Sequence, residues 1–150
     1  MRPRAVARSG HQVSSFPPSV RHMNNDASSR PSLRYAAVTF DCPDPVELSR
    51  FYAEVLKLPV LYSTDDFVLL GEEGSAGLGF NRLADYRRPT WPDPSQEKQA
   101  HLELGVDDLD EAQTWLLDRG AVAPATQPEP DRWRVLLDPA GHPFCVTTLA

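Results

Sequence analysis

The feature that most constrains this chain is an internal repeat. "AVTFDCPDPVELSRFY" (37–52) aligns with "HLELGVDDLDEAQTWL" (101–116), and both stretches open with alternating residues of strand type. Each reaches an aspartate seven residues on, Asp44 and Asp108, and each aspartate is followed three residues later by a glutamate, Glu47 and Glu111. That is capping-box spacing, in which the first side chain takes a free amide at a helix start and the glutamate reaches back. Pro45 suits the first helical position. Leu48, Phe51, Tyr52 and Val55 then recur at helical spacing; Leu109, Ala112, Trp115 and Leu116 do the same, so Phe51 aligns with Trp115. Gly120 suits the end of the second helix, and the first should stop near Leu58–Pro59.

Short apolar runs follow each helix: "VLY" (60–62), "FVLL" (67–70) and "LGF" (78–80), then "VAP" (122–124), "WRVLL" (133–137) and "FCV" (144–146). Turn residues separate them. The unit reads β-α-β-β-β, twice, and two units fill residues 33–150. The expected fold is α+β, with two βαβββ modules (33–83 and 100–150), a linker (84–99) and a cupped sheet of about eight strands with the helices outside.

Composition narrows the function. Residues 1–32 carry five arginines (Arg2, Arg4, Arg8, Arg21, Arg30) against Asp26, a net of +4; the whole chain is −6, so residues 33–150 carry −10. An acidic domain is a poor partner for a phosphate backbone, which excludes nucleic acid. No apolar run approaches the roughly 18 residues of a membrane helix. Residues 1–32 lack the apolar stretch of a secretory signal, and Pro3, Pro17 and Pro18 break any amphipathic transit pattern. Disorder is the expectation there, with Met23 as an alternative start. Cys42 and Cys145 form no CxxC, and the plain expectation is a reducing cytoplasm.

The paired units, with "D…FY…L-LPV" in the first and "DPAGHPFCV" closing the second, resemble the vicinal oxygen chelate superfamily. That superfamily includes glyoxalase I, extradiol dioxygenases and bleomycin-resistance proteins. The resemblance is nearest to a glyoxalase-like subgroup, through "FNRLADYRRPTWPDP" (80–94), "HLEL" (101–104), "DDLDEA" (107–112) and "WRVLLDPAGHPFCV" (133–146). It implies a cup between the modules. In metal-dependent members the cup holds four ligand positions, one on the first and one on the last strand of each unit. Here they fall at Ala37, Asn81, His101 and Cys145. Alanine cannot coordinate, neutral Asn is a weak donor, and only His101 matches the usual His, Glu or Gln set, so no cofactor and no metal site are expected. Dimers are common in the resembled family, and the sequence leaves a homodimer open.

His101 and Glu103 lie two apart on a strand and so share a face, the cup face on this register. They are the candidate acid/base pair, because imidazole titrates near neutrality and a carboxylate can orient it. The plainer account is a hydrogen-bonded polar pair lining the cup of a diverged member. His142 reads as exposed turn polarity in "DPAGHP", and Cys42 should face away from the cup. In the linker, Tyr86, Arg87, Arg88 and Trp91 stand out in an acidic domain. They read as a packed strap anchored by Tyr86 and Trp91, or as a lid whose arginines draw an anionic ligand onto Trp91. Trp133 suits cup or core equally. The expected ligand-contacting set is Asn81, His101, Glu103, Cys145, Trp91 and Arg87, around a small organic molecule. The functional expectation is a metal-independent, glyoxalase-like small-molecule binder. The alternatives are a metal-dependent lyase, isomerase or dioxygenase, and a non-catalytic protein that sequesters a drug as bleomycin-resistance proteins do.

Overall fold

A computed structural model describes residues 35–148, and the expectations for residues 1–32, Met23 included, lie outside the described residues. β1 (Ala37–Cys42) leads into α1 (Pro45–Leu56), followed by β2 (Val60–Ser63), β3 (Phe67–Leu70) and β4 (Gly77–Arg82). After the linker come β5 (Glu103–Gly105), α2 (Leu109–Leu117), β6 (Trp133–Leu137) and β7 (Pro143–Thr147). No helix among the described residues is long and apolar enough to cross a membrane.

Both helices start where the repeat places them. Asp44 Oδ1 accepts from the amides of Val46 and Glu47 at 3.0 Å each, and Asp108 Oδ1 accepts from Asp110 and Glu111 at 2.8 Å each. These bonds satisfy amides that a helix start would otherwise leave unpaired. The second helix closes with Gly120 at φ 98°; Ala121 N donates to Leu116 O and Gly120 N to Leu117 O, both at 3.1 Å, a Schellman closure. The first ends differently, with Lys57 in the left-handed region at φ 54° just before Leu58–Pro59.

The strands form two sheets, ordered β1-β4-β3-β2 and β5-β7-β6. In each, the first strand pairs parallel with the last and the inner pairs are antiparallel, so the repeat holds at the level of topology. The expected single sheet of about eight strands is corrected: among the described residues there are seven strands in two sheets. The missing member is "VAP", where Val122 makes only an isolated bridge to Leu137. Pro124 has no N–H to extend that ladder.

One core serves both modules. Phe51 and Tyr52 of α1 meet Phe144 of β7 at ring distances of 6.1 and 6.5 Å, and Tyr52 stacks on Phe80 of β4 at 5.5 Å. Leu48, Val68, Leu70, Leu116, Leu136 and Val146 are also part of it. Trp115, the counterpart of Phe51, does not join them. It is 38% exposed, with the Arg119 guanidinium 3.5 Å from its ring centroid, while neighbouring Leu116 takes the buried position.

Candidate functional site

The register of the first and last strands decides what faces the concave side. Glu103 pairs with Cys145 in the second module and Thr39 with Gly79 in the first. Because Asp44 and Asp108 both cap helices, Thr39 corresponds to Glu103 and Ala37 to His101. The counterpart of Cys145 is therefore Gly79, and the equivalence drawn to Asn81 is corrected by two residues. Phe80 and Phe144 are both buried, one pleat repeat apart, and sequence spacing alone does not separate those two registers. Asn81 instead donates from Nδ2 to Asp41 Oδ1 at 3.2 Å, as an exposed pair on the first module.

His101 lies two residues before β5 rather than on it. The ladder stops there because Pro143, the residue that the parallel register would set opposite, has no N–H to give. The last bond toward that end runs from Cys145 N to Leu102 O, 2.8 Å. His101 and Glu103 nevertheless share a face, with Nε2 and Oε1 3.5 Å apart. Together with Cys145, Trp133, Trp91 and Lys98 they line a cavity of about 140 Å³. Trp133 thus belongs to the concave side.

Within the cavity, burial raises the Cys145 thiol pKa above its ordinary value and the Glu103 carboxylate adds to the effect, so the sulfur stays protonated at neutral pH. Trp91 Nε1 is buried and unpaired. Lys98 Nζ stands 4.4 Å from the centroid of the Trp91 ring. Of the residues expected to contact a ligand, His101, Glu103, Cys145 and Trp91 are brought together; Asn81 and Arg87 are not among the lining residues. Lys98, which sequence reasoning passed over, is the cation that reaches the cavity. Its only signal was a lysine three residues before the "HLE" run.

The donor set does not fit a divalent ion. Of the register-corrected corners, Ala37 and Gly79 offer no donor. A Cβ at Gly79 would lie 2.5 Å from Thr39 Oγ1, so the strand has no room there for a ligating side chain. Cys145 alone offers a sulfur, and a stable site needs three or four protein donors. Among the described residues no three His, Cys, Asp or Glu side chains are grouped closely enough to hold a metal ion.

A larger groove, about 380 Å³, runs on the helix side between Val55, Leu104, Val106, Trp115 and Leu116. Its carboxylates belong to the α2 start, and Asp108 is already spent on capping. It holds no histidine, cysteine or lysine, and the smaller cavity carries the chemistry.

His142 was expected as exposed turn polarity, and the structure overturns this. It is 9% exposed and closes the "DPAGHP" turn. Asp138 Oδ2 accepts from Tyr52 OH at 3.0 Å and lies 2.9 Å from His142 Nδ1, while Asp138 Oδ1 accepts from His142 N at 2.9 Å. His142 Nε2 lies 2.9 Å from Asp41 O, and a carbonyl only accepts, so Nε2 carries a proton. Tyr86 OH, 3.2 Å from Nε2, donates to Ala140 O at 3.1 Å. Burial, then the Asp138 charge, pushes both phenols up and keeps them protonated as donors. Burial and Asp138 also push the thiol of Cys42, in the core and away from the concave side, up to about 11. Every polar atom of this cluster has a protein partner, so it acts as a clamp between modules. Arg88 joins it, donating from Nε to Ala140 O at 3.2 Å, which makes the linker a strap pinned to the turn.

A family model described as a glyoxalase-like domain matches residues 37–147. No curated protein matches the chain. Among solved structures, a possible glyoxalase from Bacillus cereus is similar at TM-score 0.58 and 12% identity, over 77% of this chain and 99% of that one. A glyoxalase/bleomycin resistance protein/dioxygenase family enzyme from Burkholderia phytofirmans PsJN gives TM-score 0.57 and 22% identity, over 76% and 97%. A bleomycin-binding protein from Streptomyces verticillus, complexed with copper(II)-bleomycin, gives 0.51 and 15%, over 79% and 98%. At these identities the likeness is one of fold.

Proposed function

The chain belongs to the glyoxalase-like domain family of the vicinal oxygen chelate superfamily, and from that membership we propose that it binds a small organic molecule in the cavity of its second module, without a resident metal ion. The observation that carries this reading is the His101–Glu103 pair, 3.5 Å apart, set on a concave wall beneath Trp91 and beside Trp133. Polar groups converging among flat apolar walls are what a small-ligand site consists of. Where a ligand is turned over, His101 is the group that takes and returns a proton, and Glu103 stabilises the imidazolium. Cys42 and Cys145 are free thiols, which accords with a reducing, cytoplasmic setting.

Size limits the ligand. About 140 Å³ is the room of roughly five water molecules at about 30 Å³ each. The neighbour from Streptomyces verticillus holds copper(II)-bleomycin, a far larger guest than this cavity takes with the strap where it lies. The ligand is therefore a compact molecule, and drug sequestration on that scale is the weaker reading.

Thermal-shift screening of small metabolites tests the proposal. A ligand at about 100 times its Kd stabilises by about 2.7 kcal/mol, and His101→Ala should shrink that shift without lowering the Tm of the free protein. Chelators should leave it unchanged. Purified protein carrying near-stoichiometric zinc, nickel, iron or manganese, whose removal abolished the ligand's effect, would refute the metal-independent reading.

A further inference from the structure

The strap is pinned at its start and loose beyond it. Tyr86 OH donates to Ala140 O at 3.1 Å, Arg88 Nε donates to the same carbonyl at 3.2 Å, and the Arg88 chain lies directly over Gly141. From residue 89 to residue 100 the bonding turns inward. Among the described residues, every hydrogen bond of this segment goes to another member of it. Thr90 N donates to Gln96 O and Gln96 N to Thr90 Oγ1, both at 3.0 Å, and Ser95 N donates to Asp93 Oδ1 at 2.8 Å. Lys98 Nζ, 4.4 Å from the Trp91 ring centroid, is a contact within the segment too. No residue from 87 to 101 belongs to the core or is buried as a whole; the core takes up Tyr86 before the segment and Leu102 after it. The chain rejoins the sheet where Leu102 O accepts from Cys145 N. Just before that, Gln99 holds φ 53°, a left-handed conformation unfavourable for a residue with a side chain.

We infer that residues 89–100 form a hinged wall of the His101–Glu103 cavity, which swings on Arg88 and Gln99 and controls entry to the site. The site it controls is the one proposed above, and its role as a gate rests on that reading. A segment with few buried apolar contacts and no backbone tie to the scaffold opens at low free energy. What holds this one against the second module is side-chain contact. Trp91 and Lys98 line the cavity, and both also line the adjoining hollow of about 400 Å³ within the strap, so they stand as the partition between the two. The shut position carries a penalty of its own, because Trp91 Nε1 is buried there without a hydrogen-bond partner, and lifting the segment gives it to water. The internal bonds let the segment move without unfolding. Opening then breaks the contacts of two side chains, uncovers His101, Glu103 and Cys145, and leaves the sheets and the shared core as they are.

Hydrogen exchange followed by nuclear magnetic resonance of the full chain tests the opening. The Trp91 indole N–H and the amide of Val146, in the middle strand of its sheet, are both shut away from water. Relative to its rate in a free peptide, the indole N–H should exchange about 100-fold faster than the Val146 amide or more, and low urea should accelerate only the amide. Exchange of the two together, with the same urea dependence, would overturn the hinge. Fluorescein maleimide, a reagent too large for the closed cavity of about 140 Å³, tests the gate through Cys145, with buried Cys42 as the internal control. The folded protein should be labelled at Cys145 well before Cys42. Trp91→Ala should speed Cys145 about tenfold or more and leave Cys42 unchanged, which also shows that the variant is folded. Labelling of both thiols at one rate, or a Cys145 rate indifferent to Trp91→Ala, would overturn the proposal. Neither measurement uses a ligand, so the small-molecule reading stands or falls separately, on the thermal-shift screen.

Discussion

His101 and His142 show how much a residue's surroundings decide. His101 stands beside an open cavity, about a third of its side chain exposed, with Glu103 at 3.5 Å. His142 is enclosed, with acceptors at both ring nitrogens and Asp138 almost wholly buried beside it. Removing one partner of a buried pair leaves the other uncompensated, which costs about 3–5 kcal/mol. His142→Ala should therefore lower the unfolding free energy by about that amount in urea titrations. Tyr52→Phe, which takes one hydrogen bond from the Asp138 carboxylate, should cost about 1.5–3 kcal/mol. His101→Ala should stay within about 0.5 kcal/mol. Equal costs for the two histidine variants would show that the buried cluster is no clamp. The sequence shows Asp138 and His142 four apart around Gly141, which is enough for a turn. It does not show that Tyr52, Asp41 and Tyr86, each more than 50 positions away, close over that turn.

Among the elements, the helix starts were the most readable, because a cap is a local interaction spanning three residues. Asp44 and Asp108 each satisfy two amides. Asp44→Ala and Asp108→Ala should each cost about 1 kcal/mol. The caps share no partners, so the double variant should show the sum within about 0.5 kcal/mol in thermal or urea unfolding. A double variant no worse than either single would mean that the two helix starts are energetically coupled. Neither Glu47 nor Glu111 completes the reciprocal half of the box, so loss of either glutamate should be small. The strands were less readable. "VAP" has strand composition but a proline where a ladder amide is needed, and "HLEL" loses its first two residues from the sheet because Pro143 stands opposite His101. Pairing depends on a partner's backbone, which local pattern does not contain.

Over the whole molecule, the two modules share one core, through Phe51 and Tyr52 against Phe144 and through the Tyr52–Asp138 bond. Residues 35–148 should therefore unfold as one cooperative unit. Trp91, Trp115 and Trp133 all lie beyond residue 84, so tryptophan fluorescence follows the strap and second module, while far-ultraviolet circular dichroism follows both helices. The two urea transitions should coincide. A fluorescence midpoint displaced from the dichroism midpoint would show modules that melt separately.

Pattern along the chain was enough for the duplicated unit, the two helix starts, the acidic domain and the shared face of His101 and Glu103, because each depends on neighbours within a turn or a pleat. Which cavity those residues line was a tertiary outcome. The two-residue register of β4 and β7 replaced Asn81 with Gly79, the fold of the strap brought Lys98 and Trp91 over His101, and a turn closed on a distant tyrosine buried His142. None of these contacts follows from a local pattern of strand or helix, and their energies come from burial and pairing that exist only once the chain has folded.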